Sequence, residues 1–258
     1  MKTTNSNIVY KEEGQGETLI LIHGFCGSSD YWNNIIPKLS ESYRVIAIDL
    51  PGHGESKGHD SVQEIDQYAL DIKDFLEELK IEKLTMFGHS LGGYITLAFA
   101  ESYSQYLNGF SLIHSTGFSD SEEAKEGRIA SADKIDKDGI DSFIDGLVPK
   151  LFAPGNVESL KQSLKDVKNI GYGTPAGGAK NALNAMRERK DRTEVLANTK
   201  LPVLLIAGES DQLIPPDKTF TASGENITQV VIKDAGHMSM YEAPEELGNA
   251  MLTYLKQV

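Results

Sequence analysis

The chain has 258 residues, 40% of them apolar and 24% charged, so it is long enough to bury a core and is not composed like a disordered chain. Its 25 basic and 38 acidic residues give a formal net charge of −13, which argues against nucleic-acid binding because phosphate contacts require clustered Lys and Arg. The single cysteine excludes an intramolecular disulfide, no apolar run reaches the roughly 18 residues of a membrane span, and the N-terminus lacks a signal-peptide pattern. We expect a soluble cytoplasmic protein with neither a nucleic-acid nor a membrane partner.

Short, nearly continuous apolar runs alternate along the chain with longer amphipathic segments. Runs of this length and composition are typical of parallel strands that are covered on both faces. The predicted strands lie at residues 18–24, 43–50, 84–88, 110–115, 202–209 and 228–236.

Three segments have the pattern of helices. Between residues 65 and 79, apolar residues recur at steps of three and four, which predicts one buried stripe on a helix. Residues 91–100 are apolar nearly all round, so that helix should lie deeper. Residues 244–255 form a predicted final helix with Pro244 in its first turn. Strands alternating with helices indicate an α/β fold with a largely parallel sheet.

The alternation stops between residues 117 and 192, where the sequence is helical, polar and interrupted by glycines, without a strand pattern. We therefore predict that residues 1–116 and 193–258 form one α/β core and that residues 117–192 are a helical cap inserted into it.

The stretch "LTMFGHSLGGYITLAFA", residues 84–100, places Ser90 between a strand and a helix with Gly88 and Gly92 on either side. A serine hydroxyl needs a base to take its proton and N–H groups to stabilise the oxyanion that follows. A sharp strand-to-helix turn supplies that position, and the crowded backbone requires small residues two before and two after it. This G-x-S-x-G pattern, in its strand–turn–helix context, predicts a nucleophile at Ser90.

Two histidines, His114 and His237, follow Ser90 in the chain, and one of them should be the base. His237 follows the last predicted strand, in a loop at the same sheet edge as Ser90. His114 lies inside a strand, which is more typical of a packed residue lining a cleft. We predict His237 as the base.

The acid that orients the histidine is predicted to be Asp211, in the loop after the strand at residues 202–209. Glu209 lies closer to the strand, Asp234 is too near His237 in sequence to reach its ring comfortably, and Asp120 follows the strand at residues 110–115. These three carboxylates remain alternatives.

The oxyanion donors are predicted to be the backbone N–H groups of Phe25, after the turn at Gly24, and of Leu91. Cys26 has no histidine of its own nearby, so we expect a buried filler and not a nucleophile. His23 is expected to hold its loop, and His53 and His59 lack metal-ligand spacing, so neither a metal nor a cofactor is expected. The predicted apolar pocket residues are Trp32, Phe118, Phe143, Leu147 and Met238.

Five motifs in this order, "HGFCGSSDYW", "VIAIDLPGHGES", "GHSLGG", "GESDQLIPP" and "AGHMSMYEAPEE", resemble the α/β-hydrolase superfamily, in particular its small esterase, enol-lactonase and haloperoxidase-like branch. The resemblance implies a mostly parallel eight-stranded sheet, antiparallel in its first strands, with a helical lid after the sixth. It places Ser90, Asp211 and His237 on the triad positions, Phe25 and Leu91 on the oxyanion positions, and Asp49 on a structural one.

The resemblance also narrows the expected chemistry. Members that open haloalkanes or epoxides carry Asp where this chain has Ser90, so they are poor guides to it. We expect a carboxylesterase-like enzyme (EC 3.1.1) that cleaves small apolar esters through an acyl-enzyme. Lactone or C–C bond hydrolysis on the same triad, cyanohydrin cleavage of the hydroxynitrile-lyase kind, and a slow-turnover small-molecule receptor remain alternatives. The substrate and the oligomeric state are not specified by the sequence.

Overall fold

The structure is a computed structural model, and it describes residues 1–4, 8–59 and 64–258. Within these residues, eight strands form a single sheet, as the resemblance implied. The strands are β1 (Lys2–Thr3), β2 (Val9–Glu13), β3 (Thr18–Ile22), β4 (Arg44–Ile48), β5 (Leu84–His89), β6 (Leu107–Ile113), β7 (Val203–Gly208) and β8 (Ile227–Ile232).

The strand order is β1-β2-β4-β3-β5-β6-β7-β8. Strands β1 and β2 are antiparallel to their neighbours, and β3 to β8 are parallel. The chain leaves β3 for β4 on one side and later returns to β5 on the other side. In open parallel sheets, such a reversal of strand order opens a crevice at the carboxyl ends of the strands. The loops after β3 and β5, which carry Phe25 and Ser90, lie at that reversal.

The helices also follow the predicted pattern. Those predicted to begin at residues 65, 91 and 244 begin there, and α2 buries the expected stripe, including Ile72 and Phe75. The helices are α1 (Ile36–Leu39), α2 (Ile65–Glu78), α3 (Leu91–Tyr103), α4 (Glu122–Leu151), α5 (Lys161–Tyr172), α6 (Ala176–Arg187), α7 (Thr193–Asn198), α8 (Pro216–Thr219), α9 (Ser239–Glu242) and α10 (Pro244–Leu255). Short 3-10 helices occur at Ser29–Trp32, Ser104–Tyr106 and Pro154–Asn156.

Helix α3 lies deepest, because all ten of its first residues are buried. Each fully buried Leu, Ile or Phe side chain stabilises the fold by about 1.5–3 kcal/mol. The helix that begins at Ser90 is therefore held rigidly against the sheet.

Helices α4 to α7 lie between β6 and β7, and α4 packs against α5 and α6. Helix α4 is interrupted at Gly139, whose φ of 81° is left-handed. The Arg192 N–H donates to the Gly117 carbonyl oxygen at 2.7 Å, so the two ends of the 117–192 segment meet. We propose that this segment acts as a cap. None of the helices in the described ranges combines the length and apolarity needed to span a bilayer.

Candidate active site

Ser90 stands at the junction of β5 and α3 with φ 51° and ψ −113°, a backbone conformation that non-glycine residues rarely adopt. Such strain costs about 1–3 kcal/mol and persists only where the surroundings impose it. The Ser90 N–H donates to the Ile113 carbonyl oxygen of β6 at 2.9 Å, which ties the turn to the neighbouring strand. The strained turn therefore has the geometry expected of a nucleophile elbow.

The two glycines around Ser90 are required by close backbone contacts. A Cβ atom at Gly88 would lie 2.3 Å from the Gly92 carbonyl oxygen, and one at Gly92 would lie 2.5 Å from the Ile22 carbonyl oxygen. Both distances are shorter than any real Cβ contact, so a side chain at either position would displace the backbone. The steric reason predicted for the small residues is confirmed.

His237 and Asp211 are joined by a hydrogen bond between Nδ1 and Oδ2 at 2.7 Å, and both side chains are almost fully buried. The second carboxylate oxygen, Oδ1, accepts from the N–H groups of Leu213 at 2.9 Å and Ile214 at 3.0 Å. The His237 N–H donates to the Leu151 carbonyl oxygen at 2.7 Å. Backbone contacts therefore fix the positions of the imidazole and of the carboxylate.

The pKa of Asp211 is well below its ordinary value. Burial alone would raise this pKa, but the charge interaction with His237 and the hydrogen bonds from His114 and His237 outweigh burial. Asp211 is therefore ionised at neutral pH and can stabilise a positive charge on the His237 ring.

Ser90 and His237 line the same cavity, whose volume is about 580 Å³. The cavity lies between the carboxyl edge of the sheet and the 117–192 segment, because residues of both line it. The structure thus brings the predicted nucleophile, base and acid to one place, although 147 residues separate Ser90 from His237.

His114 lies behind this arrangement and does not line the cleft that the sequence suggested. Its ring is fully buried, with Nδ1 3.2 Å from Asp211 Oδ2 and Nε2 2.7 Å from Ser239 Oγ. Burial lowers the pKa of His114, against the opposing effect of Asp211. His114, Asp211 and His237 offer potential metal ligands within 4.8 Å of one another, but the Nδ1–Oδ2 distances are those of hydrogen bonds.

The alternative carboxylates lie elsewhere. Glu209 is exposed and accepts from the Asp234 N–H at 3.2 Å. Asp120 is buried and paired with Arg189 and Arg128 on another wall of the cavity. Asp234 is exposed, and none of these three carboxylates is hydrogen-bonded to His237, whose Nδ1 is bonded to Asp211.

His89, next to Ser90, was not identified from the sequence. Its Nε2–H donates to the His237 carbonyl oxygen at 2.9 Å, and its ring centre is 5.1 Å from that of His237. Burial lowers the pKa of His89 far below its ordinary value, so the ring is neutral. The ring therefore supports the loop that carries His237. The sequence feature that could have identified His89 was its position next to Ser90 in the "GHS" motif.

Both residues predicted to supply the oxyanion donors lie near Ser90. Leu91 is the first residue of α3, so its N–H is one of those that have no acceptor within the helix. Phe25 lines the cavity. A Cβ on neighbouring Gly24 would lie 3.2 Å from Ser90 Cβ, so the loop after β3 packs closely against the elbow.

Four of the five predicted pocket residues line the cavity, and one does not. Phe118, Phe143, Leu147 and Met238 line the cavity, whereas Trp32 is fully buried in the core. The 3-10 helix that contains Trp32 turns its indole inward. The sequence missed several lining residues, including Tyr94, Leu183, Met186, Arg128 and Arg189.

The remaining candidates have structural positions. Cys26 is fully buried, and burial raises the pKa of its thiol, which removes it as a nucleophile at neutral pH. The His23 ring accepts from the Leu50 N–H at 2.9 Å, which holds its loop as expected. Asp49 accepts from the N–H groups of Ser29 and Glu55 at 2.7 and 2.9 Å.

Two fully buried histidines, His23 and His53, predict that the folded protein is less stable in acid. Burial lowers the pKa of His23 to about 4 and that of His53 to about 3. Below pH 6.5 these histidines bind protons in the unfolded chain but stay neutral in the folded protein. The free energy of unfolding therefore rises with pH in this range. Lowering the pH from 7 to 5 should reduce the free energy of unfolding by up to about 1.4 kcal/mol per pH unit for each ring.

Urea unfolding at pH 7, 6 and 5 measures this dependence. The depressed pKa of Asp211 does not interfere, because that carboxylate contributes its stability throughout this range and loses it only at more acidic pH. A free energy of unfolding that is constant or larger at pH 5 would contradict the prediction.

Comparison with known proteins places the chain in a family. Residues 17–244 match the family model described as the alpha/beta hydrolase fold. The chain is 30% identical over 255 residues to the dihydrolipoyllysine-residue acetyltransferase component of the acetoin cleaving system of Pseudomonas putida, covering 95% of this chain and 65% of that protein. The chain thus spans less than two thirds of that relative.

Solved structures show the same architecture. A thermophilic esterase from Thermogutta terrifontis, solved with malate bound, superposes with a TM-score of 0.92 at 29% identity, covering 97% of this chain and 93% of that one. The enol-lactonase from Burkholderia xenovorans LB400 gives 0.88 at 22% identity, covering 96% of each chain. The predicted fold and the predicted resemblance are confirmed. The chain therefore belongs to the α/β-hydrolase fold family.

Proposed function

We propose that the protein hydrolyses carboxylic esters through an acyl-enzyme, with Ser90 as nucleophile, His237 as base and Asp211 as the carboxylate that orients His237. The observation that carries the proposal is the buried 2.7 Å hydrogen bond between Asp211 and His237. His237 lines the same cavity as Ser90. This arrangement holds the proton on Nδ1 of His237. Nε2 is then left unprotonated and able to accept a proton.

The reaction proceeds in two acyl transfers. Ser90 Oγ attacks the ester carbonyl carbon while His237 Nε2 takes the hydroxyl proton, and the N–H groups of Phe25 and Leu91 stabilise the oxyanion. His237 then protonates the departing alkoxide as the C–O bond breaks. Water attacks the acyl-enzyme by the same steps, releasing the acid and restoring Ser90.

The identity of the nucleophile is tested with a fluorophosphonate probe, which phosphonylates activated serines. One equivalent should be incorporated, and mass spectrometry of the digest should locate it on Ser90. The strained turn and the His237 imidazole in the same cavity distinguish this hydroxyl from the other serines of the chain.

Ser104→Ala is the matched control, because Ser104 is an exposed serine at the opposite end of the same helix. The control should be labelled like the original protein, whereas Ser90→Ala should take up no probe. Labelling of Cys26 or of another serine, with Ser90 unmodified, would remove the basis of the proposal.

A further inference from the structure

Two arginines share one carboxylate on a wall of the cavity. Asp120 Oδ1 is 2.5 Å from Arg189 Nη1, and Asp120 Oδ2 is 3.1 Å from Arg128 Nε. The side chains of Asp120 and Arg189 are 4% and 5% exposed, whereas that of Arg128 is 27% exposed. One negative charge thus faces two positive charges in a largely desolvated place.

Arg189, the more buried of the two arginines, is fixed by several contacts. Its Nε donates to the Phe118 carbonyl oxygen at 3.1 Å, and its Nη1 also donates to the Met186 carbonyl oxygen at 2.9 Å. Its guanidinium carbon lies 4.0 Å from the centre of the Tyr94 ring. Tyr94 follows Ser90 by four residues, which is about 6 Å along helix α3. The positive charge of Arg189 therefore lies on the wall of the same cavity that Ser90 lines.

Arg128 has N–H groups that make no hydrogen bond to the described residues. Among the described residues it donates only through Nε, to Asp120, so its two terminal nitrogens make no hydrogen bond within the described chain. Arg128 also lines the cavity. A guanidinium held through one edge presents its remaining N–H groups as a planar fork that fits a carboxylate.

The other charged residues of the cavity leave this excess of positive charge in place. Lys218 lines the cavity with its ammonium 5.6 Å from the centre of the Phe118 ring. The Asp191 carboxylate accepts from the N–H of Thr193 at 3.0 Å and from its hydroxyl at 2.6 Å. Three cations thus line the cavity with two carboxylates, in a chain whose formal net charge is −13.

From this imbalance we infer that the cavity binds esters that carry a free carboxylate, such as half-esters of short dicarboxylic acids. Arg128 holds the substrate carboxylate, Asp120 holds Arg128, Arg189 holds Asp120, and Lys218 adds positive charge at the rim. Because Arg128 is only 27% exposed, its guanidinium attracts an anion in the cavity more strongly than it would in bulk water. The inference rests on the proposed ester hydrolysis and specifies its substrate class.

The test compares monomethyl glutarate with methyl pentanoate, two methyl esters with the same acyl carbon count that differ in a terminal carboxylate. Acid release is followed by titration at constant pH. The original protein should prefer the half-ester by about 10-fold or more in kcat/KM, the range expected for hydrogen bonds to a charged group. Arg128→Gln should reduce this ratio about 10-fold.

Lys125→Gln is the matched control. Lys125 precedes Arg128 by three residues on α4, pairs with Glu122 at the surface and does not line the cavity, so removing its charge should leave the ratio unchanged. Equal kcat/KM for both esters in the original protein would overturn the inference. So would an equal decrease of the half-ester preference in Arg128→Gln and Lys125→Gln.

Calorimetry with Ser90→Ala protein separates this inference from the proposed function. Binding of monomethyl glutarate but not of methyl pentanoate, weakened by adding Arg128→Gln, supports the carboxylate site whatever the turnover. Such binding without hydrolysis by the original protein would overturn the proposed function and leave the carboxylate site. Hydrolysis of both esters without preference would support the proposed function and overturn the carboxylate site.

Discussion

Ser90→Ala is expected to lower kcat for p-nitrophenyl acetate by at least about 10⁴-fold, because the acyl-enzyme cannot form without the Oγ atom. The remaining rate should come from binding and from the oxyanion donors alone. The variant should stay folded, since Ser90 makes its bonds to the rest of the chain through its backbone, with the N–H donating to Ile113 and the carbonyl oxygen accepting from Ser115 Oγ.

Initial rates and thermal unfolding of the same preparation measure both expectations. Ser115→Ala provides a comparison, since Ser115 is a buried serine that touches the elbow only by donating to the Ser90 carbonyl oxygen at 2.8 Å. Its effect on kcat should be far smaller. Undiminished turnover by folded Ser90→Ala would exclude Ser90 as the nucleophile.

Asp211→Asn is expected to lower kcat by about 10⁴-fold. The two backbone N–H groups that donate to Oδ1 would retain the amide oxygen at that position, which turns the amide NH2 group toward His237. The His237 Nδ1 would then have to accept a hydrogen bond, and the proton would move to Nε2. A ring protonated at Nε2 cannot take the proton of Ser90. The same change also removes the carboxylate from His114.

Glu209→Gln is the control for this prediction, because Glu209 was the alternative acid in the same loop and is exposed. Its kcat should remain within about 2-fold of the original, as is usual for surface changes of small energetic effect. Steady-state kinetics on both variants, with urea unfolding to confirm the folded state, completes the measurement. A larger loss for Glu209→Gln than for Asp211→Asn would reverse the assignment of the acid.

Much of the site could be anticipated because its signals are local in sequence. The glycines around Ser90 are imposed by contacts within one strand–turn–helix unit, and the "GHSLGG" motif records them. His237 and Asp211 each follow a strand of the same parallel sheet, and strands of one parallel sheet end at the same edge. Chain order and strand ends were therefore enough to predict that these residues meet.

Other features of the site depend on contacts that no local pattern encodes. Asp120, just before α4, and Arg189, just after α6, are separated by 69 residues, and the packing of α4 against α6 helps to bring them together. Trp32 was predicted for the pocket by residue type alone, but the direction in which its short helix turns its side chain buries it in the core. His114 ends a strand like a cleft residue, yet it lies behind Asp211.

The sequence by itself determined the six parallel strands, three of the helices, the elbow and the chain order of the three proposed catalytic residues. These follow from hydrophobic periodicity and from turn sterics, which act over a few residues. Only the tertiary structure decided which charged side chains share the cavity with Ser90, and that His114 lies behind Asp211 and not in the cavity. Those choices depend on how the 117–192 segment lies over the sheet, and therefore on side chains that are far apart in the chain.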